Sequence, residues 1–396
     1  MNLLPSKKFE RVKTIAASSA TLFIPSAGNL LSSMIVIRFM LPEWWGDIAV
    51  MQLYMYISVQ ICAWGNKDYL MLAYSKSPGM VPRLWQDSFS SRLFLLIPTF
   101  AFAFIISMDL FTIGILCLWI ILRYIQQAFE SIILFSRNFK LVMLAETIAI
   151  IITLSGLYMV RGNHAFHQII LIISLGYLIK TIIQLVYFRK LFQNTFSFKP
   201  DFKKLKKGLP FMMLGLAGVM LQKSDLMCFT WFEDKYHIAQ YQVFSSFLIL
   251  AQTFPGLIAG PFIKNLYRIS PLSYPKIQWQ FSLIGILVTI CISVVTFIII
   301  TNIYHFNLPL INYVLGFVYV ILTYFYIPEI YLLYKAEKQN QVMWISLFVI
   351  IFNILNCVLF IPAYSITGAL LANVFSQILS LVLYKIFWRR SVVRPS

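Results

Sequence analysis

Long apolar runs dominate this chain, and short polar segments separate them. A helix that crosses the hydrocarbon core of a bilayer needs about 20 mostly apolar residues. Twelve runs of that kind can be drawn, and they predict membrane-spanning helices at residues 14–37, 46–65, 88–108, 111–135, 140–160, 165–188, 208–230, 238–262, 278–302, 309–333, 341–362 and 365–387. The loops are too short for a soluble domain of any size. The pattern therefore predicts an all-α polytopic membrane protein.

The composition agrees with this pattern and removes one class of partner. Hydrophobic residues make up 60% of the chain and charged residues 12%, whereas a soluble domain carries about 25% charged residues. The formal net charge is +18, which on a soluble face would suggest nucleic acid. Here the basic residues are spread over short loops between apolar runs. We therefore expect no nucleic-acid partner.

The positions of Lys and Arg set the orientation. With the N-terminus in the cytoplasm, 25 of the 32 Lys and Arg residues fall in cytoplasmic segments, and the outer loops carry only Arg38, Arg161 and Lys235. Cytoplasmic loops of membrane proteins are enriched in these residues. Both termini are predicted to be cytoplasmic. The most basic loop suggests an N-terminal lobe at 1–190, a linker at 191–207 and a C-terminal lobe at 208–396.

Four ionisable residues inside the predicted spans are matched in depth. Arg92 and Glu130 lie near the cytoplasmic ends of the third and fourth spans, and Glu146 and Lys180 lie at similar depth in the fifth and sixth. An unpaired charge is costly in lipid. Two interhelical ion pairs are one reading of these residues. The other reading gives them a role in transport, and Lys180 is kept as a substrate-binding candidate.

Two further cations lack such a simple explanation. Arg123 lies near the middle of the fourth span, with no acid at its depth in the first half and with Gln126, Gln127 and Glu130 following at helical spacing. Lys223 lies in the seventh span, where it could pair with Asp225 or reach the outer interface. Alternatively, both cations face an aqueous cavity between the halves and bind an anionic group.

Several other features bear on mechanism. Pro255, Gly256, Gly260 and Pro261 interrupt the eighth span, and Pro removes a helix hydrogen bond, so a kink or hinge is predicted there. The five cysteines have no metal-ligand spacing, and neither a zinc-protease motif nor a phosphate-binding loop for ATP occurs. We expect no metal and no cofactor.

The junction of the first two spans resembles a known family. The signature segment, residues 38–46, reads RFMLPEWWG and is similar to the R-F-L-G-P-E-x-F-G signature of bacterial polysaccharide (O-antigen, Wzx-type) flippases. The start of the seventh span, Gly208-Leu209-Pro210 followed later by Asp225, also resembles that family. The chain departs from the signature at Leu41, where Gly is usual, and at Trp44 and Trp45. Arg38, which opens the segment, joins the substrate-binding candidates.

This resemblance implies a fold and a function. The fold would be that of the multidrug/oligosaccharidyl-lipid/polysaccharide exporter superfamily, with two six-helix lobes around a central cavity, as in MATE transporters. The protein would be a flippase rather than an enzyme. It would move an undecaprenyl-pyrophosphate-linked oligosaccharide across the bacterial inner membrane, for O-antigen in lipopolysaccharide or another surface polysaccharide.

The implied partners and the competing functions follow from the same reading. The flippase would contact its lipid-linked oligosaccharide, membrane lipid and the polymerase and chain-length machinery. A multidrug/cation antiporter of the same fold is the first alternative, although acidic cavity residues would suit cationic drugs better than the basic ones found here. A membrane enzyme of polysaccharide assembly is the second alternative. The outer loops are short for the catalytic residues of such an enzyme.

Overall fold

The computed structural model describes residues 4–104, 109–162, 165–192, 202–259, 274–336 and 338–393, and all regular structure in these ranges is helical. Thirteen helices are numbered here: α1 Leu4–Phe39, α2 Pro42–Ala63, α3 Asn66–Lys76, α4 Val81–Arg92, α5 Leu96–Ala103, α6 Leu110–Ser136, α7 Phe139–Met159, α8 Phe166–Tyr187, α9 Phe202–Phe232, α10 Lys235–Ala259, α11 Tyr274–Ile299, α12 Leu310–Lys335 and α13 Gln339–Val393. Short turns extend or join them at Pro78–Met80, Leu93–Leu95, Arg189–Phe192 and Ile300–Tyr304.

Eight helical segments of the described chain are long and apolar enough to cross a membrane. Their outer faces expose large apolar side chains, such as Leu110 at 80% and Met159 at 82%, which suits contact with lipid rather than water. The longest segment, Gln339–Arg390, has 52 residues, or about 78 Å at 1.5 Å per residue, against a hydrocarbon core of about 30 Å. The chain is therefore an all-α polytopic membrane protein.

Most residues of each of the twelve predicted runs are helical. Not every run, however, forms a helix that is long and apolar enough to count as a membrane span among the described residues. Helix α13 covers the last two runs, and the left-handed backbone of Ser365, with φ 49°, breaks it between them. Within the described chain, the first run contributes the shorter apolar helix Phe23–Phe39. The third run is interrupted by the 3₁₀ turn Leu93–Leu95, and the eighth extends beyond the described residues. The count of twelve spans stays a prediction.

The helices group into two compact units. The N-terminal unit comprises residues 1–40 and 50–219, and the C-terminal unit comprises residues 41–49 and 220–396. This grouping differs from the predicted lobes at two segments. The first eight residues of α2 belong with the C-terminal unit, and α9 belongs with the N-terminal unit as far as Val219. The predicted linker at 191–207 is helical from Phe202 onward, and residues 193–201 lie outside the described part.

An aromatic cluster holds α4, α6 and α8 together in the N-terminal unit. The buried Trp85 ring stacks between Phe89 and Phe129, with ring centroids 5.1 and 5.2 Å apart. Phe129 stacks in turn on Phe188, at 5.1 Å, just after α8 ends. The Trp85 indole N–H donates to the carbonyl of Ala128 at 2.7 Å. Because α6 and α8 carry the ionisable residues described below, this cluster fixes their spacing.

The second part of the signature segment, residues 41–46, is explained by its packing in the C-terminal unit. An ideal Cβ on Gly46 would lie 2.0 Å from the backbone carbonyl oxygen of Lys235, so α10 begins where only a glycine leaves room. Trp45 is fully buried, and its indole N–H donates to the Gln242 side-chain oxygen at 2.7 Å. Asp47 pairs with the Lys235 ammonium at 3.1 Å. The polar Gln242 therefore accommodates a tryptophan at the position where the family signature has Phe.

Candidate functional site

The N-terminal unit contains a cavity of about 370 Å³, here called the N-terminal cavity. Its wall is formed by α1, α2, α6, α7, α8 and Val219 near the middle of α9. The volume lies within the range of small-molecule sites, about 300–1,000 Å³. The polar residues that line it are Thr21, Tyr56, Gln60, Arg123, Gln126, Gln127, Glu130, Glu146, Lys180 and Gln184. Four of the predicted site residues therefore meet in one place: Arg123, Glu130, Glu146 and Lys180.

Arg123 is held by neutral groups. Its Nη1 donates to the Gln126 side-chain oxygen at 2.9 Å. The Gln126 amide nitrogen donates to the Tyr177 carbonyl at 3.1 Å and to the Thr181 hydroxyl at 2.8 Å, which turns the amide oxygen toward the guanidinium. The guanidinium carbon also lies 6.0 Å from the centre of the Tyr56 ring. Among the described residues, no carboxylate lies within 4.0 Å of Arg123, so most of its five donors are available to an anion.

Glu146 and Lys180 form the ion pair expected between α7 and α8. The Lys180 ammonium donates to Glu146 Oε1, and both side chains are about nine-tenths buried, with 9% and 10% of their surface exposed. Helices α7 and α8 are consecutive and pack along their length. Lys180 thus lines the N-terminal cavity with its charge already partnered.

The expected pair between Arg92 and Glu130 is wrong. Glu130 pairs with Lys67 at 2.8 Å, with side chains 40% and 47% exposed. The guanidinium of Arg92 donates to the backbone carbonyls of Cys62 and Ala63, at 3.3 and 3.2 Å. The chain turns sharply after α2 and brings α3, which starts at Asn66, alongside α6. The two side chains therefore contact different partners, because a similar position along two helices does not set the direction in which each side chain points.

The charges that line the N-terminal cavity are formally balanced. Arg123 and Lys180 are positive, and Glu130 and Glu146 are negative. Both carboxylates are already engaged by lysines, one of which, Lys67, lies outside the lining. Arg123 is the lining cation that keeps its charge without a carboxylate in the described chain. This arrangement can accept an anionic group with bidentate hydrogen bonds, as guanidinium does with phosphate oxygens.

Asp225 is part of a buried polar network in the C-terminal unit. It accepts hydrogen bonds from the Tyr241 hydroxyl, from the Asn373 amide at 2.7 Å and from the Leu226 backbone N–H at 2.7 Å. Its side chain thus has three donors besides any contribution from Lys223, which is half-buried two residues earlier on α9. Residues two apart on a helix point to different sides.

The remaining predicted residues lie elsewhere. Arg38 is exposed at the end of α1 and is not among the lining residues of the N-terminal cavity. Helix α10 continues through Pro255 and Gly256 to Ala259. Gly260 and Pro261 lie outside the described residues. No group of three or more metal-binding side chains occurs in the part of the chain that the structure describes.

Sequence reasoning missed several residues of the cavity. Gln184 lies one helical turn after Lys180, and Gln60 lies on α2, where Gly215 of α9 leaves room for its amide. Sequence reasoning also missed Lys67, which lies outside the lining and pairs with Glu130. A search for polar residues at helical spacing from each buried charge would have found Gln184. It would not have found Gln60 or Lys67, because no buried charge was expected on their helices.

Comparisons with known proteins identify the fold. No family model and no curated protein matches the sequence. Solved structures do match. One is the lipid II flippase MurJ in an inward closed conformation, which matches with a TM-score of 0.66 at 14% sequence identity, over 95% of this chain and 87% of that one. A multidrug resistance MATE family transporter of the MOP superfamily, inward-facing, matches with a TM-score of 0.64 at 10% identity, over 95% and 99% of the chains. A eukaryotic MATE transporter matches with a TM-score of 0.56 at 12% sequence identity, over 97% of this chain and 98% of that one. The chain therefore has the fold of these transporters.

Proposed function

We propose that this protein is a flippase for a lipid-linked oligosaccharide whose linking group is a diphosphate. The observation that carries the proposal is Arg123, a cation that lines a cavity in a membrane-spanning unit, contacts a neutral amide and has no carboxylate within 4.0 Å in the described chain. Keeping such a charge inside a membrane protein is costly, and intramembrane charges commonly mark substrate pathways. A diphosphate would supply the missing anion.

The neutral lining supports a sugar beside the diphosphate. Gln60, Gln127 and Gln184 offer amide donors and acceptors, and Tyr56 offers a ring face. Sugar hydroxyls are recognised by such groups, which form hydrogen bonds without requiring a charge. The similarity of the signature segment to polysaccharide flippases and the fold shared with a lipid II flippase support the same class. The proposed substrate is an undecaprenyl-pyrophosphate-linked repeat unit of O-antigen or another surface polysaccharide.

The proposed setting is the bacterial inner membrane, with access alternating between its two faces and both termini in the cytoplasm. A reporter fused after Lys203 should be cytoplasmic, and one fused after His305 periplasmic. Both reporters on the same side would contradict the twelve-span topology. Lys223, Arg38 and also Asp225 are proposed contributors to substrate binding, and the polysaccharide polymerase and chain-length machinery are proposed partners.

The decisive experiment is complementation of a flippase-deficient strain, with surface polysaccharide and membrane-inserted protein both quantified. Arg123→Ala should abolish polysaccharide at normal protein level, and Arg123→Lys should restore only part of it, because an ammonium cannot make the paired hydrogen bonds of a guanidinium. Arg189→Ala removes an exposed arginine and serves as the matched control. Wild-type polysaccharide from well-expressed Arg123→Ala would remove Arg123 from the mechanism.

A multidrug/cation antiporter is the second candidate, and one observation favours it. Glu130 and Glu146 both line the N-terminal cavity, and carboxylates suit cationic drugs. The fold is also shared with multidrug transporters. If this candidate is right, overexpression should lower cellular accumulation of a lipophilic cation such as ethidium, and Glu130→Gln should reverse the effect. No change in ethidium accumulation, together with loss of polysaccharide in Arg123→Ala, would reject it.

A further inference from the structure

Arg92 is buried without a carboxylate in the described chain. It is 2% exposed, and its Nε donates to the Ser88 carbonyl at 3.0 Å while Nη1 reaches the carbonyls of Cys62 and Ala63. These last two carbonyls are at the C-terminus of α2, where a helix carries about half a negative charge. Helix α2 therefore offsets part of the positive charge. Among the described residues, Nη2 has no hydrogen-bond partner.

A second unsatisfied donor lies in the same place. The Asn66 side chain is 2% exposed, and its oxygen accepts from the Ser88 hydroxyl at 2.6 Å, which fixes the orientation of the amide. No residue in the described part of the chain accepts a hydrogen bond from its nitrogen, Nδ2. Both residues line one small enclosure of about 10 Å³, here called the Arg92 cavity, together with Trp64, Tyr69, Ser88, Ser91, Leu205 and Gly208. A buried donor without a partner costs about 1–3 kcal/mol.

The chemistry of the Arg92 cavity specifies its occupant. The occupant must accept hydrogen bonds from Arg92 Nη2 and Asn66 Nδ2, and the small volume limits it to a single water molecule or a monatomic ion. Leu205 and Gly208 come from the first two turns of α9, the end at which a helix carries a partial positive charge. A water molecule would satisfy the donors but would leave the charge of Arg92 only partly offset. A small anion would do both.

We propose that the Arg92 cavity is a binding site for a halide ion, which in the cell would be chloride. The ion joins the turn between α2 and α3, helix α4 and the start of α9 within the N-terminal unit. Its role is to complete the neutralisation of a buried arginine that the fold uses to cap α2. The site is separate from the N-terminal cavity, which Arg92 does not line, and it does not depend on the proposed transport function.

The first test measures thermal unfolding of the purified full-length protein in chloride and in gluconate at equal ionic strength. The wild type should unfold about 2–4 °C higher in saturating chloride, as expected for a ligand that binds only the folded state. Asn66→Asp places a carboxylate beside Arg92 and should remove this difference. Asn340→Asp makes the same change at an exposed position and should keep it. A wild type without a chloride effect, or an equal effect in Asn66→Asp, would overturn the site.

The second test needs no variant and therefore stands if Asn66→Asp fails to fold. Wild-type crystals grown in bromide should show an anomalous peak within hydrogen-bond distance of both Arg92 Nη2 and Asn66 Nδ2. Density without an anomalous signal there would identify a water molecule and would refute the halide.

Discussion

The buried pair of Glu146 and Lys180 gives a quantitative test of the N-terminal cavity. Glu146→Gln alone leaves the Lys180 ammonium in place, with a side chain nine-tenths buried and the charge of Arg123 on the same wall. Removing one partner of a buried pair costs about 3–5 kcal/mol. Because the pair borders a cavity that can admit water, we expect the lower end, about 3 kcal/mol. Adding Lys180→Met should bring the protein back to within about 1 kcal/mol of the wild type.

The assay is equilibrium unfolding of the purified protein in mixed micelles, as a double-mutant cycle. The matched control is the pair of Lys67 and Glu130, whose side chains are 47% and 40% exposed. An exposed pair contributes about 0.2–1 kcal/mol, so its cycle should give a coupling energy in that range. If the cycle for Glu146 and Lys180 gives no more than the control, the two charges are not a desolvated pair, and the electrostatic account of the cavity is wrong.

Two further predictions concern the ends of helices. Gly46→Ala should greatly lower the folded yield, because its Cβ would overlap the Lys235 carbonyl oxygen. Gly114→Ala is the control and should be tolerated, because its Cβ meets nothing within 4 Å. The amount of membrane-inserted protein measures the effect of each variant. Asp109 caps α6, and hydrogen bonds from the Thr112 side chain and backbone lower the pKa of this carboxyl below 3.8. Its stabilising effect is therefore present at neutral pH and lost as the pH falls through that lowered pKa. The fall in melting temperature on acidification should be smaller in Asp109→Asn, and identical acid profiles for the two proteins would contradict this cap.

The helices of the fold could be predicted from sequence because apolar length alone identifies a span. The same reasoning could pair Glu146 with Lys180, because consecutive helices joined by a short turn lie side by side and bring equal depths together. It failed for Arg92 and Glu130. The chain after α2 adopts left-handed backbone at Trp64 and Gly65, with φ of 47° and 66°, and no residue pattern predicted that turn.

The boundaries of the compact units could not be predicted from the sequence either. A long basic loop suggested a division near residue 190, but α2 and α9 each divide within an apolar run, at Ala49–Val50 and Val219–Met220. Hydropathy is continuous across both points, so it carries no signal for the division. The close approach of Gly46 to the start of α10 is a tertiary contact, and sequence could offer only the resemblance of the signature segment.

Three deep cations of the described part of the N-terminal unit are stabilised in three different ways, and Arg123 differs from the other two. Lys180 has a carboxylate, and Arg92 has the carbonyls at the end of a helix. Arg123 has an amide oxygen and an aromatic ring, which orient the guanidinium without neutralising it. A charge that served only the fold would be expected to gain stability from a full counter-charge, as the other two do in whole or in part. A fixed orientation without a directly paired carboxylate in the described chain is what a site for an incoming anion requires, and it distinguishes Arg123 on chemical grounds rather than by its depth in the membrane.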